Sequence, residues 1–220
     1  MINFFGPSNL LGTGIHCRNL AKSYQDLTGE EICLISPFGN VSVEDDFVKK
    51  AVLNRKFFSP KNPSIMIFDT AFLAQFSGSP RIGFAVFETD QLTEVQLAAV
   101  ASCDHILVPS HWAKSVLKNS YNIEAHVVPE GFDPTEFPER DYAHEYRGSV
   151  KFLHVGKFEE RKGTLQTIRC FFQALERESA ELVMHCANPF MNNSGYNEVT
   201  DALSALGFRP IIRSASGEPF

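Results

Sequence analysis

A chain of 220 residues with 44% hydrophobic and 12% aromatic content carries enough apolar surface for one large core or two smaller ones, which excludes a disordered chain. Its formal net charge of −6 excludes a nucleic-acid binder that works through a broad basic surface, because such proteins draw most of their affinity from neutralised phosphates. The start, MINFFGPSNLLG, has no basic n-region, and no later stretch approaches a membrane span, so a cytoplasmic protein is expected. Five cysteines form an odd set without a C-x-x-C pair, which points to reduced thiols in cores, not to a disulfide frame or zinc site.

Apolar runs with strand character alternate with segments of helical period, the signature of a parallel sheet flanked by helices. The first series runs strand Ile2 to Phe5, helix Gly14 to Asp26, strand Glu31 to Ser36, helix Val43 to Arg55, strand Ser64 to Asp69 and strand Arg81 to Phe87. It continues with helix Thr93 to Ser102, strand His105 to Pro109, helix His111 to Asn119 capped by Ser110, and strand Ala125 to Pro129. The stretch GFDPTEFPERDYAHEYRG loses periodicity and reads as a linker. A second series follows: strand Val150 to Val155, helix Lys162 to Arg177, strand Glu181 to His185, helix Asn197 to Leu206 and strand Pro210 to Arg213. The organisation expected is residues 1–135 as a first α/β domain, 136–149 as linker and 150–220 as a second, incomplete α/β domain. An incomplete second sheet leaves apolar surface uncovered, so self-association is expected.

Two stretches carry chemistry. FFGPSNLLGTGIHCRNL passes from strand to helix through Gly6, Gly12 and Gly14, where glycines admit close backbone approach and a helix N-terminus favours an anion. His16, one turn into that helix, is near enough to touch a phosphate. The spacing is not G-x-G-x-x-G, since Cys17 stands where a third glycine would be, and no acidic residue closes the second strand, which disfavours a nicotinamide-dependent oxidoreductase. In VKFLHVGKFEERKGT, Lys157 lies just past a strand and Lys162 at the start of the next helix. It is not a Walker A loop, which needs G-K-[ST]. Both ammonium groups can reach one cleft at the carboxyl edge of a sheet, where open α/β sheets bind ligands, and two lysines with a helix N-terminus suit a diphosphate. Read on local composition alone, with Glu159 and Glu160 nearly cancelling the basic residues, the same run is better read as an exposed, solvated charged loop.

In order along the chain, FFGPSNLLGTGIHCRNL, GFAVFETDQL, CDHILVPSHWAKSVLKN, HVVPEGFDPTEF and HVGKFEERKGT resemble successive landmarks of the family 4 glycosyltransferases, sugar-nucleotide-dependent enzymes of the GT-B fold with two Rossmann-like domains. The likeness implies transfer of a sugar, with retention of configuration, from a nucleotide-diphosphate donor to an acceptor hydroxyl of a saccharide, lipid or protein. It implies that Lys157 and Lys162 hold the donor diphosphate, with no metal or other cofactor required, and that Gly12, Thr13 and Gly14 approach it from the first domain. Glu88 matches a position near the acceptor, where a carboxylate at a strand's carboxyl end can bind a hydroxyl or take its proton. Lys157 stands where the family usually has arginine, and the family's paired glutamates would lie beyond Phe220, so the resemblance covers a first domain and the start of a second, truncated. The rival reading is a non-catalytic nucleotide-binding or scaffold module. His105 and His185 in strand-like runs, and Trp112 and the phenylalanines, read as core.

Overall fold

The computed structural model describes residues 1–9, 11–37, 45–132, 134, 135, 137–139, 150–174, 180–186, 201, 204, 205 and 207. The chain divides into two compact units, Met1–Glu139 and Arg140–Phe220. The first contains β1 (Ile2–Phe5), α1 (Gly12–Thr28), β2 (Ile32–Ile35), α2 (Asp46–Leu53), β3 (Ser64–Asp69), β4 (Arg81–Val86), α3 (Glu94–Ala101), β5 (His105–Val108), α4 (His111–Tyr121) and β6 (His126–Val127). The second contains β7 (Val150–Val155), α5 (Thr164–Ala174) and β8 (Ala180–His185).

In the first unit six strands form one parallel sheet in the order β2-β1-β3-β4-β5-β6, a Rossmann-like α/β arrangement. Alternation along each strand sends side chains to opposite faces and so makes two cores. On one face Ile2, Phe4, Ile32, Leu34, Ile65, Ile67 and Phe84 pack with Cys17 and Ala21 of α1 and Val48 and Ala51 of α2. On the other, Phe5, Met66, Ala85, Ile106 and Val108 pack with Ala99 and Val100 of α3 and Ala113, Val116 and Leu117 of α4. The edge of β2 is covered, because Asn54 and Arg55 donate side-chain hydrogen bonds to the carbonyls of Ile32 and Leu34 at 2.9 and 2.8 Å.

Local chemistry sets the helix ends. The Ser110 hydroxyl accepts from the Ala113 N–H at 3.1 Å, as the sequence predicts. Thr93 is the cap of α3 and not its first residue, since its hydroxyl accepts from the Gln96 N–H while the Gln96 side chain accepts from the Thr93 N–H. Helix α1 begins two residues before the predicted Gly14 and runs on to Thr28, where Gly29, at φ 71°, closes it through its N–H to the Gln25 carbonyl. No described helix is long and apolar enough to cross a membrane.

In the second unit β7 and β8 pair in parallel from Val150↔Ala180 to Val155↔His185. Ile168 and Thr164 of α5 are buried, and Phe171 meets Phe152 edge-on at 5.6 Å. Leu153, Val155 and Val183 share the opposite face of this pair and are 68%, 65% and 44% exposed. Most of the predicted linker, the end of the helix expected to reach Arg177, nearly all of the helix from Asn197 to Leu206 and the strand from Pro210 to Arg213 lie outside the described residues.

Candidate functional site

The three glycines of the first loop separate into two kinds. A Cβ on Gly6 would lie 2.6 Å from the Ile67 carbonyl oxygen and 2.7 Å from the Cys17 sulfur, so this glycine lets α1 close onto β3. A Cβ on Gly14 would meet the backbone N and O of Asn9, both at 2.6 Å, while the Asn9 side chain accepts from the Leu11 N–H at 3.0 Å and turns the chain into α1. Only Gly12 faces open space. The glycine signal was therefore mostly a packing signal. What faces outward is a helix start at Gly12 and Thr13, both exposed, with no side-chain cap and no acidic residue in the first turn. Gly14→Ala is expected to destabilise the first unit by about 1–3 kcal/mol, through overpacking against backbone that cannot yield, whereas Gly12→Ala leaves urea unfolding unchanged or slightly stabilised. Equal effects of the two substitutions would refute this division.

Behind that helix start, the His16 ring stands edge-on to Phe84 at 4.6 Å, and its Nδ1–H donates to Oε1 of Glu130, beyond β6, at 3.1 Å. Burial holds the His16 imidazole below its ordinary value of 6.5, and the Glu130 carboxylate pulls it partly back. The contact is thus a hydrogen bond from neutral imidazole near neutral pH. A cleft of about 510 Å³ opens beside it, lined by Gly12, His16, Asn19, Glu130 and Phe132 among others, a volume suited to a small ligand. Because the folded histidine binds its proton less tightly than the unfolded one, unfolding takes up a proton below pH 6.5, and stability falls as pH drops through that value. His16→Gln should flatten this part of the curve, read as the difference in urea midpoints between the two proteins; an unchanged slope would count against the buried neutral histidine.

Glu88 lies two residues past β4, exposed, at the same carboxyl edge of the sheet. Neither Glu88 nor Thr13 nor Gly14 lines the cleft, which brings together only Gly12 and His16 of the residues expected there.

The second unit builds its loop more tightly. Gly156, just past β7, donates its N–H to the His185 carbonyl at 3.0 Å, tying the ends of β7 and β8 together. Lys157 follows, half-buried. Residues Glu160–Lys162 make a single 3-10 turn, in which the Lys162 and Gly163 N–H groups reach the Glu159 and Glu160 carbonyls at 3.0 and 2.9 Å. Gly163 takes φ 64°, and α5 starts only at Thr164. Lys162 therefore belongs to the turn before the helix, a correction to the expected start: the left-handed glycine breaks the helical path. That turn folds the Lys162 stem back, so its Cγ and Cβ lie 3.8 and 3.9 Å from where a Gly156 Cβ would be. The Lys162 stem therefore lies against Gly156, the residue before Lys157, at the carboxyl end of β7. Arg161 pairs with Glu159 at 3.0 Å, which offsets one of the nearby carboxylates.

Two further residues, Thr164 and His154, went unnoticed in the sequence. Thr164, buried at the first position of α5, places its hydroxyl 3.3 Å from His154 Nε2. Burial pushes the thiol of Cys186, just past β8, up, and the Thr164 hydroxyl pulls it partly back. A threonine directly after Lys-Gly was the available signal for this junction. Among the cysteines, Cys17 is pushed up to about 12 by burial, while Cys170 is exposed, against the expectation of a core position. His105 and His185 are exposed too: His105 opens β5, and alternation along β8 puts His185, opposite Val155, on the exposed face of Val183. Phe132, Phe137, Phe152 and Phe172 are likewise exposed, and Trp112 is half exposed. Among the described residues no group of His, Cys, Asp or Glu is arranged to hold a metal ion. No family model, curated protein or solved structure matches the chain.

Proposed function

We propose that this protein binds a nucleotide-diphosphate sugar and transfers the sugar to an acceptor hydroxyl, as a glycosyltransferase of GT-B type. The observation that carries the reading is the folding of Lys162 back against Gly156, beside Lys157, at the carboxyl end of β7 and directly before the start of α5. Two lysines in a loop at that edge suit a diphosphate, whose negative charge grows as it leaves. In the reaction the bond between the anomeric carbon and the diphosphate oxygen breaks, its electron pair going to that oxygen. The acceptor oxygen bonds to the anomeric carbon, and the acceptor proton passes to a base. Glu88, exposed at the carboxyl edge of the first sheet, is the carboxylate assigned to the acceptor side. The lysines supply electrostatic stabilisation that elsewhere a metal provides.

Calorimetric titration with UDP, GDP, uridine and NAD tests the reading. UDP or GDP is expected to bind, with uridine much weaker because it lacks the charges the lysines meet, and NAD is expected to bind no better than uridine. Absence of nucleoside-diphosphate binding, or a preference for NAD, would sink it.

A further inference from the structure

Thr164 has no role yet, although it is 2% exposed and carries a hydroxyl that burial would penalise if left without partners. It is the first residue of α5, and its hydroxyl lies 3.3 Å from Nε2 of His154. Alternation along β7 sets His154 on the face of Phe152, which meets Phe171 of α5. The same hydroxyl hydrogen-bonds the thiol of Cys186, just past β8. A hydroxyl has one proton to give, so it donates to one of these partners and accepts from the other. One buried group thus pins the start of α5 to β7 and to the end of β8.

The backbone on the other side of Thr164 is held less firmly. The Gly163 carbonyl accepts from the Thr167 N–H at 2.8 Å, which puts Gly163 at the position before the helix, but a glycine has no side chain with which to cap it. Its φ of 64° is one of many conformations open to glycine. The turn Glu160–Lys162 rests on 3-10 bonds of 3.0 and 2.9 Å, a poorer geometry than that of an α-helix. Lys162 therefore stands two residues from a fixed point, between a permissive glycine and a weak turn. A lysine meets a phosphate well only where its backbone is already placed, because freedom left in the loop is lost on binding. We infer that Thr164, anchored by His154, is a positioning residue that holds Lys162 against Gly156 for the diphosphate, and that it acts on the ligand only through Lys162. The inference rests on the transfer reading above and deepens it by naming the residues that set its phosphate contact in place.

Thr164→Val removes the hydroxyl at nearly constant size, and His154→Phe removes the ring nitrogen while keeping a ring; should one variant fail to fold, the other carries the test. The full chain and each variant, alone and combined with Lys162→Ala, are titrated with UDP by calorimetry, and amide hydrogen exchange is followed without ligand. Each variant is expected to weaken UDP binding roughly fivefold, as for one lost hydrogen bond, while Thr164→Ser, which keeps the hydroxyl, restores it. Neither variant should add to the loss in Lys162→Ala. Exchange should quicken at the Lys162 and Gly163 amides but not at Gly156, whose N–H is bonded to the His185 carbonyl across the sheet. Unchanged UDP affinity in both variants, or losses that add to that of Lys162→Ala, would overturn the inference. So would exchange quickened equally at Gly156, which marks a unit that has merely loosened. If the unaltered chain binds no UDP, the transfer reading falls on that result alone. Exchange at Lys162 and Gly163 then decides the pin separately: faster exchange in the variants upholds it, and unchanged exchange overturns it.

Discussion

Phe84→Ala is expected to remove about 3–5 kcal/mol from the stability of the first unit, the usual cost of truncating a fully buried aromatic ring. Phe84 is 0% exposed on the central strand β4, where it joins residues of β1, β2 and β3 to those of α1 and α2. It also carries the His16 ring edge-on at 4.6 Å, so the cavity would open directly beneath the histidine. With domains typically stable by about 5–15 kcal/mol, the loss is a large fraction of the total. Urea unfolding followed by circular dichroism measures it, with Phe132→Ala as the control. Phe132 is 71% exposed at the cleft, so its truncation should change stability by no more than about 0.5 kcal/mol. Similar midpoints for the two variants would refute the placement of the core.

Lys162→Ala is expected to weaken UDP or GDP binding by about 1–3 kcal/mol, roughly 5- to 150-fold, the range for a lost charge-assisted contact. The direction follows from the turn Glu160–Lys162 and the left-handed Gly163, which together bring the Lys162 stem back to Gly156. Since Lys162 is exposed, the contact is screened, and the affinity of the unmodified chain should fall as salt rises while that of Lys162→Ala falls less. Lys157→Arg provides the complementary test. A guanidinium offers a planar fork to phosphate oxygens that an ammonium lacks, so binding is expected to hold or tighten. Calorimetry of the three proteins at two salt concentrations decides the matter; affinity unchanged in Lys162→Ala would end the diphosphate role for that residue.

Much of the fold was legible because it rests on local signals. Alternating apolar runs fixed β1, β3 and β7 to the residue, and the Ser110 cap announced the start of α4. Boundaries failed where a neighbouring turn decided them. Lys162 looked helical because its charge and the following apolar period belong to helices, but Gly163 can adopt φ 64° at little cost and does so. The site was less legible, for a different reason. His16 and Glu130 meet across more than a hundred residues, and Thr164 reaches His154 between elements; neither pairing has a local pattern. The glycines of the first loop misled in a third way. Close packing and ligand approach select the same residue, and only the positions of Asn9, Cys17 and Ile67 separate Gly6 and Gly14 from Gly12. Trp112 read as core because tryptophan usually is; half of its surface is not.

The claim on which the rest depends is that the loop from Gly156 to Thr164 holds a diphosphate. An amide NMR titration of the isotope-labelled full chain with UDP tests it residue by residue. The account predicts saturable shifts at Gly156, Lys157, Lys162, Gly163 and Thr164, with inorganic phosphate at equal concentration moving the same amides less. Unmoved amides across that loop, whatever happens elsewhere in the chain, would contradict it.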